Sequence, residues 1–142
     1  MLDAQTLSDR VEIDDLLTTY TMAIDQGDWD ALDRVFTPDA HIDYSATGGK
    51  AGAFPEVKAW LAETLPMFSG MQHFITQKKV ELDGDTARVR AYFLNPMVMD
   101  QADGRKWQMD IGGAYVHELV RTPEGWRSRR LEEELLWDRK PE

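Results

Sequence analysis

Apolar residues in the first half of the chain recur at helical spacing between short breaks. Ile13, Leu17, Tyr20 and Ile24 form one such stripe. The stripe predicts an amphipathic helix that ends at Gln26-Gly27. Asp28 can then cap a short second helix, which Pro38 ends because proline cannot continue a helix. A strand over residues 40–45 and a third helix opened by Pro55 follow.

From residue 71 onward, apolar and polar residues alternate with a period of two, which is typical of strands. Turn sequences divide this part into four runs, residues 71–82, 86–99, 106–121 and 126–137. The turns are Asp83-Gly84, Asp103-Gly104 and the segment Thr122–Gly125. The apolar parity switches inside the first run, which predicts a β-bulge near Gln77-Lys78. Gly112-Gly113 inside the third run predicts a bulge or a close backbone approach.

Helices first and an antiparallel meander after them indicate the α+β class. We expect residues 1–142 to form a single domain. Its N-terminal helices pack on a strongly curved, mixed, mostly antiparallel sheet in a cone-shaped barrel. A cone of this size leaves an apolar pocket.

Composition and charge remove several function classes. The chain has 142 residues, 26 acidic against 16 basic side chains and a formal net charge of -10. Such an acidic surface repels nucleic acids and anionic membranes, so neither is expected as a partner. The absence of cysteine excludes disulfides, thiol catalysis and thiolate metal sites. No apolar run resembles a signal peptide or a membrane span, so a cytoplasmic protein is expected.

Asp25 is the most informative residue for chemistry. A carboxylate in the last turn of a helix faces the negative end of the helix dipole, which costs about 0.3–1 kcal/mol. An acid placed there is either paired with a cation or used in a reaction. His73 is the candidate partner, since a carboxylate bonded to one imidazole nitrogen leaves the other free to act as a general base or acid.

Other side chains could complete a site around this pair. The phenols of Tyr20 and Tyr44 could each donate a hydrogen bond to a carbonyl or a leaving oxygen. Soft apolar side chains are candidates for the substrate-binding wall: Trp29, Trp60, Met71, Met97 and Met99.

Simpler readings stay open for each of these residues. Asp25 could make only a local turn bond, and His73 could be a satisfied core residue. His41 and His117 are isolated on predicted strands, and the spacing of the three histidines gives no metal site, so no metal is expected. The sequence has no phosphate loop and no dinucleotide fingerprint, so no other cofactor is expected. The run Glu132–Glu134 is mostly solvated, but alternate members of a strand face opposite sides. At least one of its carboxylates should therefore point inward or toward a subunit partner.

The chain resembles the SnoaL-like branch of the nuclear-transport-factor-two-like superfamily. The residues that carry this resemblance are Tyr20-x4-Asp25-Gln-Gly-Asp-Trp29, Phe36–Ala40, Ile42-Asp-Tyr44, Met71-Gln-His73-Phe74, Gly112–Tyr115 and Gly125-Trp126. The segment with His73 is similar to the histidine strand of scytalone dehydratase, and the C-terminal segments are similar to bile-acid dehydratases. The resemblance implies an Asp25–His73 dyad, with Tyr20 and Tyr44 in the pocket.

The chain also departs from both groups of dehydratases. The second histidine of scytalone dehydratase has no match, because the corresponding strand gives Asn95, Met97 and Met99. The last-strand arginine of the bile-acid enzymes falls near Leu135. The dyad therefore matches while the residues that contact the substrate do not. The resemblance further implies a homodimer or homotrimer that packs through the open sheet face.

These observations predict a cofactor-independent lyase of the dehydratase type. His73, oriented by Asp25, would take a proton beside a carbonyl of a hydrophobic cyclic or polyketide-like substrate. One alternative is an isomerase or cyclase that uses the same base. Another is a non-catalytic binding or assembly domain, such as the small subunit of a ring-hydroxylating oxygenase.

Overall fold

A computed structural model of the protein describes residues 1–141. Its two α-helices are α1, Ala4–Gln26, and α2, Phe54–Thr64. Asp3 caps the start of α1 by accepting a 2.7 Å hydrogen bond from the backbone N–H of Thr6. Gly27 ends α1 in the left-handed conformation, with φ of 67°, as Gln26-Gly27 predicted. Three short 3-10 turns cover Trp29–Arg34, Ser45–Thr47 and Leu65–Met67.

The helices pack on one mixed sheet of seven strands. The strands are β1 Phe36–Asp43, β2 Ala51–Ala53, β3 Gly70–Met71, β4 Phe74–Asp83, β5 Thr86–Asp100, β6 Lys106–Thr122 and β7 Gly125–Arg139. Their order is β2-β1-β7-β6-β5-β3, and β4 also pairs with β5. Within residues 1–141, β1 and β7 run parallel and the other pairs are antiparallel. The predicted α+β class and the mostly antiparallel meander are confirmed, but the sheet stays open and does not close into a barrel.

The segment around Pro38 differs from the prediction. The second helix is a 3-10 turn that ends at Arg34, and β1 begins at Phe36 and contains Pro38. The ladder between β1 and β7 is irregular between Phe36 and His41. Proline has no N–H to donate, so it is tolerated in a strand where the ladder is interrupted in this way. The strand predicted over residues 40–45 thus starts earlier and ends at Asp43.

The run predicted as one strand over residues 71–82 is two strands. Gln72 and His73 lie in the break between β3 and β4, so the prediction that His73 lies on a strand is wrong. The predicted bulge is confirmed by a register shift between Ile75 and Lys78. A second shift at Gly112-Gly113 confirms the other predicted irregularity. A Cβ added at Gly113 would lie 2.0 Å from the carbonyl oxygen of Glu134, so the two backbones approach closely there.

The N-terminal half of α1 is fixed to the turn between β6 and β7. The guanidinium of Arg121 donates two hydrogen bonds to the buried carboxylate of Asp9, at 2.7 and 3.0 Å. The indole N–H of Trp126 donates a third bond to Asp9 at 3.1 Å. Hydrogen bonds from Arg121 hold the pKa of Asp9 well below its usual value. The predicted apolar stripe of α1 is buried against the sheet, and its last turn reaches the break between β3 and β4.

Candidate active site

Asp25 and His73 are in direct contact. His73 Nδ1 lies 2.6 Å from Asp25 Oδ1, and the side chains are 8% and 19% exposed. The backbone N–H of His73 donates to the other carboxylate oxygen, Asp25 Oδ2, at 2.9 Å. Both carboxylate oxygens therefore bind one residue, which fixes the imidazole in the wall of a cavity.

The position of β3 and β4 at the edge of the sheet explains how this contact forms. In an antiparallel edge strand, successive backbone N–H groups alternate between the neighbouring strand and the open side. The N–H of Gln72 donates to the carbonyl of Pro96 at 3.1 Å, but that of the next residue, His73, turns to the end of α1. Asp25 is the penultimate residue of α1, and its position against the helix dipole is offset by these two hydrogen bonds.

The contacts of Asp25 determine the protonation pattern of the imidazole. An ionised carboxylate only accepts hydrogen bonds, so Nδ1 of a neutral His73 carries the proton. Nε2 then has a free lone pair. A buried ring of this tautomer can remove a proton from a bound molecule, and Asp25 stabilises the positive charge that results.

Tyr20 and Tyr44 meet in the same cavity. Their hydroxyl oxygens are 2.5 Å apart, and both side chains are buried. Burial raises the pKa of each phenol well above its usual value, so both stay protonated near neutral pH. One hydroxyl donates to the other, which leaves one O–H of the pair available to a ligand oxygen.

The cavity holds about 200 Å³ and is lined largely by apolar and aromatic side chains. Three of the residues predicted for its wall line it: Trp60, Met71 and Met97. The other two residues predicted for the wall do not line this cavity. Trp29 instead packs half-buried against the core beside Gly27. Met99 lies beyond the cavity, near the end of β5, opposite Trp107.

Asn95 is a cavity residue whose role the sequence left open. It is buried in the cavity wall, and its Oδ1 has no hydrogen-bond partner. The register of β5 is the same on both sides of the break, with pairs Met71–Met97 and Phe74–Leu94. Continued through the break, this register sets Asn95 opposite His73. A buried amide oxygen without a partner in the cavity wall is suited to bind a polar group of a ligand.

The sequence predicted that at least one carboxylate of Glu132–Glu134 points inward or toward a subunit partner, without saying which. In the structure, Glu133 points inward. It is 9% exposed and lines the cavity, whereas Glu132 is exposed. The hydroxyl of Thr47 donates to its carboxyl group. A signal for this orientation was available, because Glu133 has the two-residue parity of Leu131, which is fully buried.

The remaining histidines lie outside this site. His41 is exposed. His117 is buried, and burial lowers its pKa to about 3. Its Nδ1 lies 2.8 Å from Ser128 Oγ, which itself donates to the carbonyl of Arg130, so Nδ1 carries the proton and the ring is neutral. Among residues 1–141, no three His, Asp or Glu side chains are grouped to hold a metal ion.

Comparisons with known proteins agree with this architecture. The sequence profile of the SnoaL-like domain matches residues 5–132. An uncharacterized protein of Mycobacterium tuberculosis is 47% identical over 133 residues, which is 93% of this chain and 89% of that protein. The solved structure of the Kfla4162 protein from Kribbella flavida has a TM-score of 0.85 and 28% identity, covering 96% of this chain and 95% of that one.

A more distant structure extends the comparison. A type 2 hexachlorocyclohexane dehydrochlorinase has a TM-score of 0.82 and 20% identity, with 96% of this chain and 90% of that chain covered. At this identity the likeness concerns the fold. Among the described residues, no helix combines the length and apolarity that crossing a membrane requires. The profile match and the mycobacterial relative together show that the chain belongs to the SnoaL-like domain family.

Proposed function

We propose that the protein is a cofactor-independent lyase that eliminates water from a hydrophobic cyclic substrate. One observation carries the proposal: the imidazole of His73 lines an apolar cavity while its Nδ1 lies 2.6 Å from the carboxylate of Asp25. A domain that only binds a ligand has no use for this pair, because burying two polar groups costs desolvation free energy. A general base needs both groups, the imidazole to accept the proton and the carboxylate to stabilise the charge that results.

The reaction begins at Nε2 of His73. This nitrogen removes a proton from the carbon beside a carbonyl group, and Asp25 stabilises the imidazolium. The negative charge that develops on the carbonyl oxygen accepts a hydrogen bond from the free O–H of the Tyr20–Tyr44 pair. General acid–base help of this kind contributes about 10²–10⁴-fold, and a buried donor to the oxyanion contributes about 10²–10³-fold.

The wall of the cavity supports an apolar ring as the substrate. Trp60 and Phe93 present aromatic surfaces, and Met71, Met97 and Met109 present flexible thioethers. Methionine adapts to ligands of irregular shape. The dehydrochlorinase with the same fold acts by elimination, as its name states, and supports elimination as the reaction class here.

Hydrogen exchange tests the base without knowledge of the natural substrate. The probe is tetralone, a neutral bicyclic ketone, incubated with the protein in D₂O. NMR then follows replacement of the protons beside the carbonyl. We expect exchange with the wild-type protein, and a loss of at least about 100-fold in His73→Gln. The matched control is His41→Gln, an exposed histidine of the same chain, which should retain exchange.

The product of a β-hydroxy tetralone distinguishes the reaction types. Loss of water, detected by mass spectrometry, supports the lyase. Exchange with an isomerised or cyclised product of unchanged mass supports an isomerase or cyclase instead. Exchange that is equal in His73→Gln and wild type contradicts catalysis at this site and favours a binding or assembly domain. The homodimer or homotrimer stays a prediction, which light scattering on the native protein tests.

A further inference from the structure

Glu133 is a carboxyl group in the cavity wall that the dyad and the phenols do not explain. The carboxylates beside it in the sequence face other surroundings. Glu132 is exposed, and Glu134 accepts a 2.7 Å hydrogen bond from Arg90. Glu133 is buried and faces the cavity that His73 also lines. Burying a carboxyl group is unfavourable, so its presence in an apolar wall requires a reason.

The surroundings of Glu133 contain no positive charge. Among the described residues that line the cavity there is no lysine or arginine. Thr47 donates a hydrogen bond to the carboxyl from the 3-10 turn after β1. The titratable groups around it are the phenols of Tyr20, Tyr44 and Tyr115, and the carboxylate of Asp43.

These surroundings keep a proton on the carboxyl group near neutral pH. Burial raises the pKa of Glu133 to about 7, although the hydroxyls of Thr47 and Tyr115 lower it in part. A carboxylic acid that is half protonated at neutral pH can donate a proton as effectively as it can accept one. Elimination of water requires such a donor, since hydroxide is a poor leaving group.

We propose that Glu133 is the general acid of this site and that the substrate is a neutral molecule which presents its leaving hydroxyl to Glu133. This inference rests on the proposed function of His73. It assigns the two proton transfers to two residues on opposite sides of β5 and β6. His73 precedes β4 and takes the proton from carbon. Glu133 lies on β7 and gives a proton to oxygen.

The step is balanced in atoms and electrons. His73 removes a proton from the carbon beside the carbonyl, and the C–H electron pair becomes the new C=C bond. The C–O bond breaks with its electron pair on oxygen, which takes the proton of Glu133 and leaves as water. The imidazolium of His73 and the carboxylate of Glu133 then return to their starting states by proton exchange with solvent.

The same arrangement selects the charge of the substrate. An anionic group would be buried in this cavity wall with no lysine or arginine among the described residues beside it, so a carboxylate or phosphate substrate is disfavoured. A neutral hydroxyl group can accept from the carboxyl of Glu133 and donate to the hydroxyl oxygen of Thr47. The inference therefore favours a neutral, hydroxylated substrate over a carboxylate or phosphate.

The leaving group tests the role of Glu133. The probes are the β-hydroxy tetralone and its β-chloro analogue, because chloride departs without protonation. In Glu133→Gln, we expect the rate with the hydroxy probe to fall at least about 100-fold further than the rate with the chloro probe. The control, Glu134→Gln, changes the neighbouring carboxylate and should affect both probes equally.

The protonation state of Glu133 is measured separately, without substrate. Isotope-edited infrared spectra of glutamate-labelled protein should show a protonated carboxyl at pH of about 6, where ordinary glutamates are ionised, that disappears above pH of about 8. This band should be absent in Glu133→Gln. A carboxylate that stays ionised over this range overturns the inference, as does an equal effect on both probes. If the wild-type protein shows no more tetralone exchange than His73→Gln, the proposed function itself is overturned, and with it the role of Glu133.

Discussion

Replacing Asp25 by asparagine should switch the tautomer of His73. The asparagine side chain has one oxygen where aspartate has two. The backbone N–H of His73 is always a donor, so it retains the oxygen as its acceptor, as it now does with Asp25 Oδ2 at 2.9 Å. The amide NH₂ then faces Nδ1, which lies 2.6 Å from Asp25 Oδ1 in the wild type. Nδ1 must become an acceptor, and the ring proton moves to Nε2.

The expected effect on activity is large, whereas the effect on folding is small. A histidine protonated at Nε2 has no lone pair for the substrate, and a carboxylate no longer stabilises the imidazolium. Loss of the carboxylate in acid–histidine pairs of this type lowers kcat by about 10⁴-fold. We therefore expect proton exchange of tetralone to fall by about 10³–10⁴-fold. Both hydrogen bonds to the carboxylate lose their charge assistance, which costs about 1.5–3 kcal/mol of stability.

Two measurements check this prediction. Long-range ¹H–¹⁵N NMR spectra assign the tautomer of each histidine, and His117 provides an internal control. Its Nδ1 is bonded to Ser128 and should be unchanged in Asp25→Asn. The reasoning is refuted if His73 keeps its proton on Nδ1 in the variant, or if exchange remains within about 10-fold of the wild type.

Three further predictions concern stability. Burial raises the pKa of Glu133 from 4.5 to about 7, so the folded state holds a proton that the unfolded state releases. The free energy of unfolding should therefore fall by about 3 kcal/mol, relative to Glu133→Gln, as pH rises from about 4 to about 8. Urea unfolding of both proteins at the two pH values measures this difference. Asp9→Asn should cost about 2 kcal/mol at neutral pH, and this difference should shrink below pH of about 4, where the wild-type carboxylate becomes protonated in the unfolded chain. A stability difference that does not change with pH would contradict the assigned role of Asp9. Gly113→Ala should cost about 3 kcal/mol in thermal unfolding, since its Cβ would meet backbone at 2.0 Å, whereas the control Gly70→Ala meets nothing closer than 3.8 Å.

The hairpins were predictable because their determinants are local. Asp83-Gly84 and the alternation on both sides of it specify a turn and two paired strands without reference to the rest of the chain. The bulge after Ile75 followed from the switch in apolar parity. The parallel pairing of β1 with β7 was not predictable in the same way, because these strands lie at opposite ends of the chain. No local sequence pattern indicates a pairing between strands so far apart in the chain.

The candidate site shows the same division between local and distant information. Asp25 stood out because its position conflicts with the helix dipole, and His73 because it lies among apolar residues. That the two touch depends on the end of α1 lying along the open edge of β3 and β4, which the alternation of apolar residues could not reveal. The orientation of Glu133 followed from its two-residue spacing to buried Leu131. It was not predicted because the acids on both sides of Glu133 made the whole run resemble a solvated stretch.

The hydrogen bond from the backbone of His73 to Asp25 makes the end of α1 a structural substitute for a missing strand neighbour. The last two turns of α1 are buried through Tyr20, Ala23 and Ile24, so the histidine is held by the same core that holds the helix. Heating or denaturant should therefore release the histidine together with the core and not before it.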